Sequence, residues 1–199
     1  MLYKKSELKN GLFIKVVTTA NLRNDAQKKI WNERYASKFP NETQDESYSN
    51  HAKYQAEFST ITSAAIGVIE ELTKGKLTTT VIPINGDTEA KLLKEFTVTM
   101  DKFPGLTLAG YNVTNYQVPL IVKRLLVNKV PIPFLLSLKG KKPWEVNIMD
   151  LMRDYQGNMF GDVDIRLVAD QFGIPCKGDD RTAMEELQTT LDIALAMSI

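Results

Sequence analysis

The 199 residues carry 25 Lys and Arg against 24 Asp and Glu, a formal net charge of +1, with 43% hydrophobic and 25% charged residues. This composition excludes wholesale disorder. Near-neutrality excludes the long-range positive field of a dedicated nucleic-acid binder, so any polyanion site has to be local. The length suits one sizeable α/β domain over 1–199, with its core from about residue 12 onward, and is short for two. The single cysteine, Cys176, rules out an internal disulfide and fits a reducing compartment. The N-terminal MLYKKSELKNG lacks the apolar stretch of a signal peptide, and no apolar run approaches the roughly 20 residues of a membrane span. The expectation is a soluble, intracellular protein without membrane contact.

Residues 12–19, LFIKVVTT, read as a strand apolar on both faces, as in the middle of a sheet. Lys15 interrupts the face shared by Phe13 and Val17, and a buried lysine is costly unless its ammonium finds a partner or a cleft. Residues 24–39 are helical, with Trp31 and Tyr35 four apart as an apolar stripe, and 40–53 read as a loop by composition. ITSAAIGVIEEL (61–72) and KLTTTVIPI (76–84) form a hairpin about Gly75. A helix from Asp87, capped by that side chain, runs to Asp101 before Pro104-Gly105. LTLAGYNV (106–113) is a strand, and Asn115–Val127 an apolar helix with Pro119 in its first turn. PWEVNIMDL (143–151) is a short strand leading into a helix. Residues 163–172 are a helix ended by Gly173 and Pro175, and a last helix starts near Thr182. This order predicts a mixed sheet flanked by helices, an α/β domain.

Few residues offer familiar chemistry. His51, the sole histidine, lies in a polar stretch, which excludes a histidine-based zinc or nucleophilic site by count. Cys176 reads as a structural thiol, and no Gly-rich phosphate loop occurs. The basic run Lys139, Lys141, Lys142 beside Pro143 and Trp144 reads as a solvated loop. Tyr111 and Tyr116 are candidates for stacking nucleobases, with packing as the plainer reading at least for Tyr116, given the helix periodicity.

Five segments in order carry a resemblance. LTLAGYNVTNYQVPLIVKRL (106–125) resembles a motif of Gly, His or Tyr, Asn, three free positions, Phe or Tyr, an acid, then Ile or Val and Pro. PWEVNIMDL resembles a Pro-Trp-Glu strand, DIRLVADQFGIPCKGDD (164–180) a helix with a Gly-Ile-Pro turn, YQAEFSTITSAAIGVI (54–69) an Ala-Glu-Phe start to a second strand, and Trp31-Asn32-Glu33 a Trp-Asp-Glu helix. Together they are similar to the predicted 3'–5' exonucleases related to the proofreading domain of family B DNA polymerases. The resemblance covers about Leu12 to the C-terminus and implies an RNase H-like fold of the DEDD superfamily.

It also implies a site. Such enzymes hold two divalent ions with four acids, and hard cations need carboxylate oxygens. Two acids stand as Asp-x-Glu on the first strand, a third follows the Gly-Tyr-Asn motif, and the fourth lies on the last helix, four residues after a tyrosine. In this chain the first-strand pair falls on Lys15 and Val17, the third acid on Gln117, the fourth on Asp192 and the tyrosine on Gln188. Three of the four acids and the tyrosine are therefore absent, so the expectation is an inactive exonuclease-like protein with no metal and no cofactor. Asp87, Glu89, Asp101, Asp162, Asp164, Asp170, Asp179 and Asp180 are the other acids weighed as replacement ligands, the first three reading as caps and surface charges. Lys15 has two readings: an ion pair to Asp192 filling the old metal site, or an ammonium that grips a phosphate.

The function expected first is a structural or protein-interaction subunit, in the cytoplasm or a virion, of a bacteriophage particle or replication assembly. Its partners are other proteins or further copies of itself. The alternative is a pseudo-exonuclease that binds single-stranded nucleic acid without cutting it. The third reading is an active exonuclease with unusual ligands.

Overall fold

The computed structural model describes residues 2–21, 24–73, 75–137, 140–141, 147–157, 161–176 and 181–198. After a short helix α1 (Lys5–Lys9), strand β1 (Gly11–Ala20) leads to α2 (Asp25–Arg34) and α3 (Gln44–His51). Strands β2 (Ser59–Thr73) and β3 (Lys76–Ile84) precede α4 (Glu89–Met100), β4 (Thr107–Gly110) and α5 (Val118–Val127). The chain then adds β5 (Ile148–Asp150), α6 (Leu151–Gln156), α7 (Ile165–Gln171) and α8 (Ala183–Ala196). The five strands form one mixed sheet in the order β3-β2-β1-β4-β5. The β1–β2 and β2–β3 pairs are antiparallel, and the β1–β4 and β4–β5 pairs parallel.

β1 is central and apolar on both faces because it is covered twice. Leu12, Ile14 and Val16 pack with Phe96 and Leu93 of α4 and Ile121 of α5. Phe13 and Val17 face the other layer, with Leu187 and Leu191 of α8 and Val168 of α7. Alternation along the strand places Lys15 on this second face. A third cluster gathers Trp31, Tyr48, Ala52 and Phe58 beside the sheet. No helix among the described residues is long and apolar enough to cross a membrane.

Several boundaries depart from expectation. The stretch 40–53 contains α3, whose start is fixed by a capping box in which Thr43 accepts the Glu46 amide and Glu46 accepts the Thr43 amide. The α4 cap is Thr88, whose Oγ1 accepts the Lys91 amide, while Asp87 pairs outside with Lys91 Nζ. β4 spans four residues rather than eight, and a π-helical turn over Val113–Gln117 leads into α5. Lys139, Lys142, Pro143, Trp144, Asp179 and Asp180 lie outside the described residues.

Candidate functional site

The cleft begins where β4 ends. β1 pairs with β4 only from Gly11 to Phe13 and then runs on to Ala20, which leaves its outer edge without a strand among the described residues. A side chain at Gly110 would bring its Cβ to 3.1 Å from the Ile14 carbonyl oxygen, so the chain approaches closely there before turning away. Asn112 then adopts a left-handed conformation at φ 52° and opens the π-helical turn. Asp150, buried at the end of β5, accepts the Thr114 amide at 2.9 Å and holds that turn against the sheet.

Gln117 enters the gap this creates. Its Oε1 accepts the Val16 N–H at 2.9 Å, which satisfies an amide the missing strand leaves open. The side chain is 1% exposed, and its Nε2 has no hydrogen-bond partner among the described residues.

Lys15 Nζ stands 2.5 Å from a carboxylate oxygen of Glu186 on α8, with both side chains 16% exposed. This corrects the expected partner, Asp192. Six positions separate the two acids, about 9 Å along the helix and about 240° around it, so they leave α8 on different sides. Asp192 instead accepts Gln188 Nε2 at 2.9 Å, and Gln188 reaches Thr79 of β3 at 3.1 Å. The structure therefore places Lys15, Val17 and Gln117 on or beside the length of β1 beyond β4 and adds Glu186 as the partner of Lys15. Gln188 and Asp192 sit over β3. Sequence alignment missed Glu186 because the gap before α8 left the helix phase open.

As a donor set for two hard cations, these positions do not fit: an ammonium, a valine, a carboxamide spent on a backbone amide, and one carboxylate already paired. Among the described residues no group of three or more His, Cys, Asp or Glu side chains converges. The acids considered as replacements have other partners or positions. Glu89 accepts from Arg124, Asn128 and the Ile61 amide, Asp164 caps α7 and pairs with Arg166, and Asp101, Asp162 and Asp170 are exposed. His51 closes α3, where its ring stacks on Phe39 at 3.7 Å and its Nε2 lies 3.1 Å from both Glu42 oxygens. Cys176 lies 2.9 Å from Arg181 Nη1.

The two tyrosine candidates separate. Tyr111 is 7% exposed and donates to the Val163 carbonyl at 2.7 Å, so it is a core residue and cannot stack a base. Burial pushes its hydroxyl well above the usual range, with nearby Asp164 adding to the rise. Tyr116 is half-buried, with its hydroxyl 3.3 Å from Thr18 Oγ1. Burial raises its pKa too, against the opposing effect of the Thr18 hydrogen bond.

Tyr116 lines a groove of about 410 Å³ with Tyr35, Tyr54, Asn115, Pro119 and Lys123. Tyr54 is 58% exposed, with its ring 6.4 Å from that of Tyr116. Lys53 Nζ lies 5.2 Å from the Tyr54 ring centre, and Lys38 Nζ 5.2 Å from that of Tyr35. Tyr35 reads in the sequence only as part of an apolar stripe and Tyr54 is not singled out there, although the neighbouring lysines were a readable signal of cations over rings. A larger cavity, about 700 Å³, lies at the other ends of the strands around Tyr3, Asn10, Thr107 and Asp154.

No protein-family model matches the chain, and no curated protein sequence matches it. Among solved structures, the family B DNA polymerase from the hyperthermophilic archaeon Pyrobaculum calidifontis matches with a TM-score of 0.54 and 13% identity. The match covers 93% of this chain and 24% of that polymerase, so the chain spans about a quarter of the polymerase's length. At this identity the likeness is one of fold, and it is compatible with an exonuclease-like, RNase H-like α/β domain.

Proposed function

We propose that the chain is an exonuclease-like domain without nuclease activity that serves as a structural or protein-interaction subunit. The observation that carries this reading is the Lys15–Glu186 ion pair at the strand position where the resemblance expects the first metal ligand. An ammonium about 4 Å from a divalent ion at an effective dielectric near 20 is repelled by on the order of 8 kcal/mol. Affinity changes tenfold for each roughly 1.4 kcal/mol, and one carboxylate at the same distance returns only about the same 8 kcal/mol, so the pair offers a divalent ion no net attraction. The setting proposed is a bacteriophage particle or a replication assembly, in the cytoplasm or a virion. Its support is the resemblance of five segments to a family found in bacteria and tailed bacteriophages.

The test is incubation of the pure protein with end-labelled single-stranded DNA and Mn²⁺. The expected result is DNA of unchanged length. Metal-dependent shortening that disappears in Glu186→Ala overturns the reading in favour of an active exonuclease with unusual ligands.

A second reading, a pseudo-exonuclease that holds single strands without cutting them, is favoured by the tyrosine groove with its two lysine-capped rings. Base stacking on aromatic side chains tolerates any sequence and needs only a local positive charge. A gel shift without shortening, weakened by Tyr54→Ala and by added salt, supports this reading over the first.

A further inference from the structure

Among the described residues the sheet ends at β3, and no strand pairs with its outer edge. β3 pairs with β2 on one side only, and the backbone groups of Leu77, Thr79 and Val81 have no hydrogen bond among the described residues apart from the sheet ladder.

The direction in which these groups point follows from the ladder. The Val16 N–H leaves β1 away from β2, toward Gln117, so the Val16–Ala64 pair does not exchange hydrogen bonds. Ala64 then turns its backbone groups to Ile84 of β3, and the pattern alternates from there. Pro83, which has no N–H, falls on a position facing away from β2, as that alternation requires. Leu77, Thr79 and Val81 share its parity, so their N–H and C=O groups point out of the sheet. Exposed edges are ordinarily blunted by charges, proline or bulges. Here no charged residue occurs from Leu77 to Ile84, Pro83 guards one end, and the register shift lies at the hairpin tip between Glu71 and Thr73.

From this edge we infer that the chain pairs with a second copy of itself through β3, antiparallel, with the two-fold axis at Thr79. A two-fold interface demands a self-complementary surface, and this edge is one. With Thr79 opposite its own symmetry mate, Leu77 meets Val81 and Val81 meets Leu77. Each of these pairs exchanges two hydrogen bonds across the axis. The side chains of that set lie on the α8 face, where Leu77 and Val81 already pack against the second core. Thr78 meets Thr80 on the opposite face, and threonine pairs are favourable cross-strand neighbours. Pro83 lands opposite Gly75, outside the bonded stretch, and no like charges meet. Beside the edge, Met184 is 45% exposed and shares a helix face with Gln188, which is itself hydrogen-bonded to Thr79. The two sheets then form one continuous sheet across the axis. The pairing names a partner beyond the interaction role proposed above and stands whether or not the Lys15 cleft cuts nucleic acid.

The experiment is sedimentation analysis of the full chain at about 100 µM, where a pairing with a dissociation constant near 10 µM is mostly formed. The expected species is a dimer. In that dimer the amides of Leu77, Thr79 and Val81 exchange as slowly as those of Thr78 and Thr80, and they speed up on dilution. Thr79→Lys alone and Thr79→Glu alone place like charges on the axis and give monomers, and mixing the two restores a dimer. Far-UV circular dichroism checks that each variant is folded, and exchange on the unsubstituted protein decides the matter if one is not. A monomer at about 100 µM overturns the pairing, as does a dimer whose Leu77, Thr79 and Val81 amides stay fast. A monomer that leaves DNA intact removes the pairing and spares the non-catalytic reading, and a dimer that shortens DNA does the reverse.

Discussion

The Gln117 carboxamide oxygen lies 2.9 Å from the Val16 amide nitrogen, joining residues 101 positions apart in the chain. This contact closes the edge of β1 beyond the end of β4 and assigns the Gln117 side chain a structural task. Gln117→Met keeps most of the volume and removes the acceptor. An orphaned buried donor costs about 1–3 kcal/mol. Loss of the unpartnered Nε2 offsets part of that, so the expected destabilisation is about 1–2 kcal/mol. Urea denaturation measures it, and an unchanged midpoint would show that water satisfies the Val16 amide instead.

The Lys15–Glu186 pair predicts an asymmetry between single and double substitutions. Lys15→Met strands a mostly buried carboxylate, and Glu186→Leu strands a mostly buried ammonium. Each single change is expected to cost about 1–3 kcal/mol, less than for a fully enclosed pair because both side chains retain some solvent. The double variant Lys15→Met/Glu186→Leu is expected to cost less than the sum, with a coupling of about 1 kcal/mol or more in a double-mutant cycle. Additive losses would mean that the two side chains do not pair in solution.

Lys15 also marks how far the sequence could be read. A lysine inside an apolar strand demanded a partner, and it has one. Which acid it was depended on the rotation of α8 over the sheet, and no local pattern encodes that phase. β1, the hairpin and the end helices were legible because period and turn chemistry agreed in each. α3 was not, because QDESYSNH is polar throughout and its helical signal was confined to the box formed by Thr43 and Glu46. The length of β4 was hidden for a related reason. LTLAGYNV is apolar enough for a strand, but Gly110 and Asn112 take the chain out of the sheet after four residues. Tyr111, a candidate for base stacking in the sequence, is held in the core by the Val163 carbonyl, a contact 52 positions away.

Trp31 organises the third cluster, and its loss is expected to reach the tyrosine groove. Its ring is stacked at 5.2 Å from Tyr35 and meets Tyr48 and Phe58 edge-on at 5.7 and 5.4 Å, while Nε1 donates to Ser47 Oγ at 3.0 Å. Trp31→Ala is expected to destabilise by about 3–5 kcal/mol. Trp31→Phe keeps the stacking and loses the Ser47 bond, for a smaller cost of about 1–2 kcal/mol. Thermal melts of the two variants test this order. If both cost less than about 0.5 kcal/mol, the α2–α3 region unfolds independently of the sheet.

Glu89 is the carboxylate whose loss acid should make most visible. It is 8% exposed and accepts from the Ile61 amide at 2.7 Å, Asn128 Nδ2 at 2.8 Å and both Nε and Nη2 of Arg124. Burial by itself raises its pKa, and Arg124 with the Ile61 and Asn128 donors outweighs it, so the carboxyl sits below its ordinary value of 4.5. A depressed folded-state pKa means that this contribution is fully present above about pH 4.5 and fades as the pH falls through the folded value. Glu89→Gln removes the charge and leaves the Arg124 guanidinium mostly buried without its anion, for about 2–4 kcal/mol at neutral pH. Glu46, Glu57, Glu71 and Asp164 are also held low, but they titrate in both proteins and cancel in the comparison. The gap in stability between parent and Glu89→Gln is therefore expected to be constant from pH 7 down to about 5 and to shrink below about 4.5. Urea denaturation across that range measures it, and a gap that stays constant to pH 3 would place the acid sensitivity elsewhere.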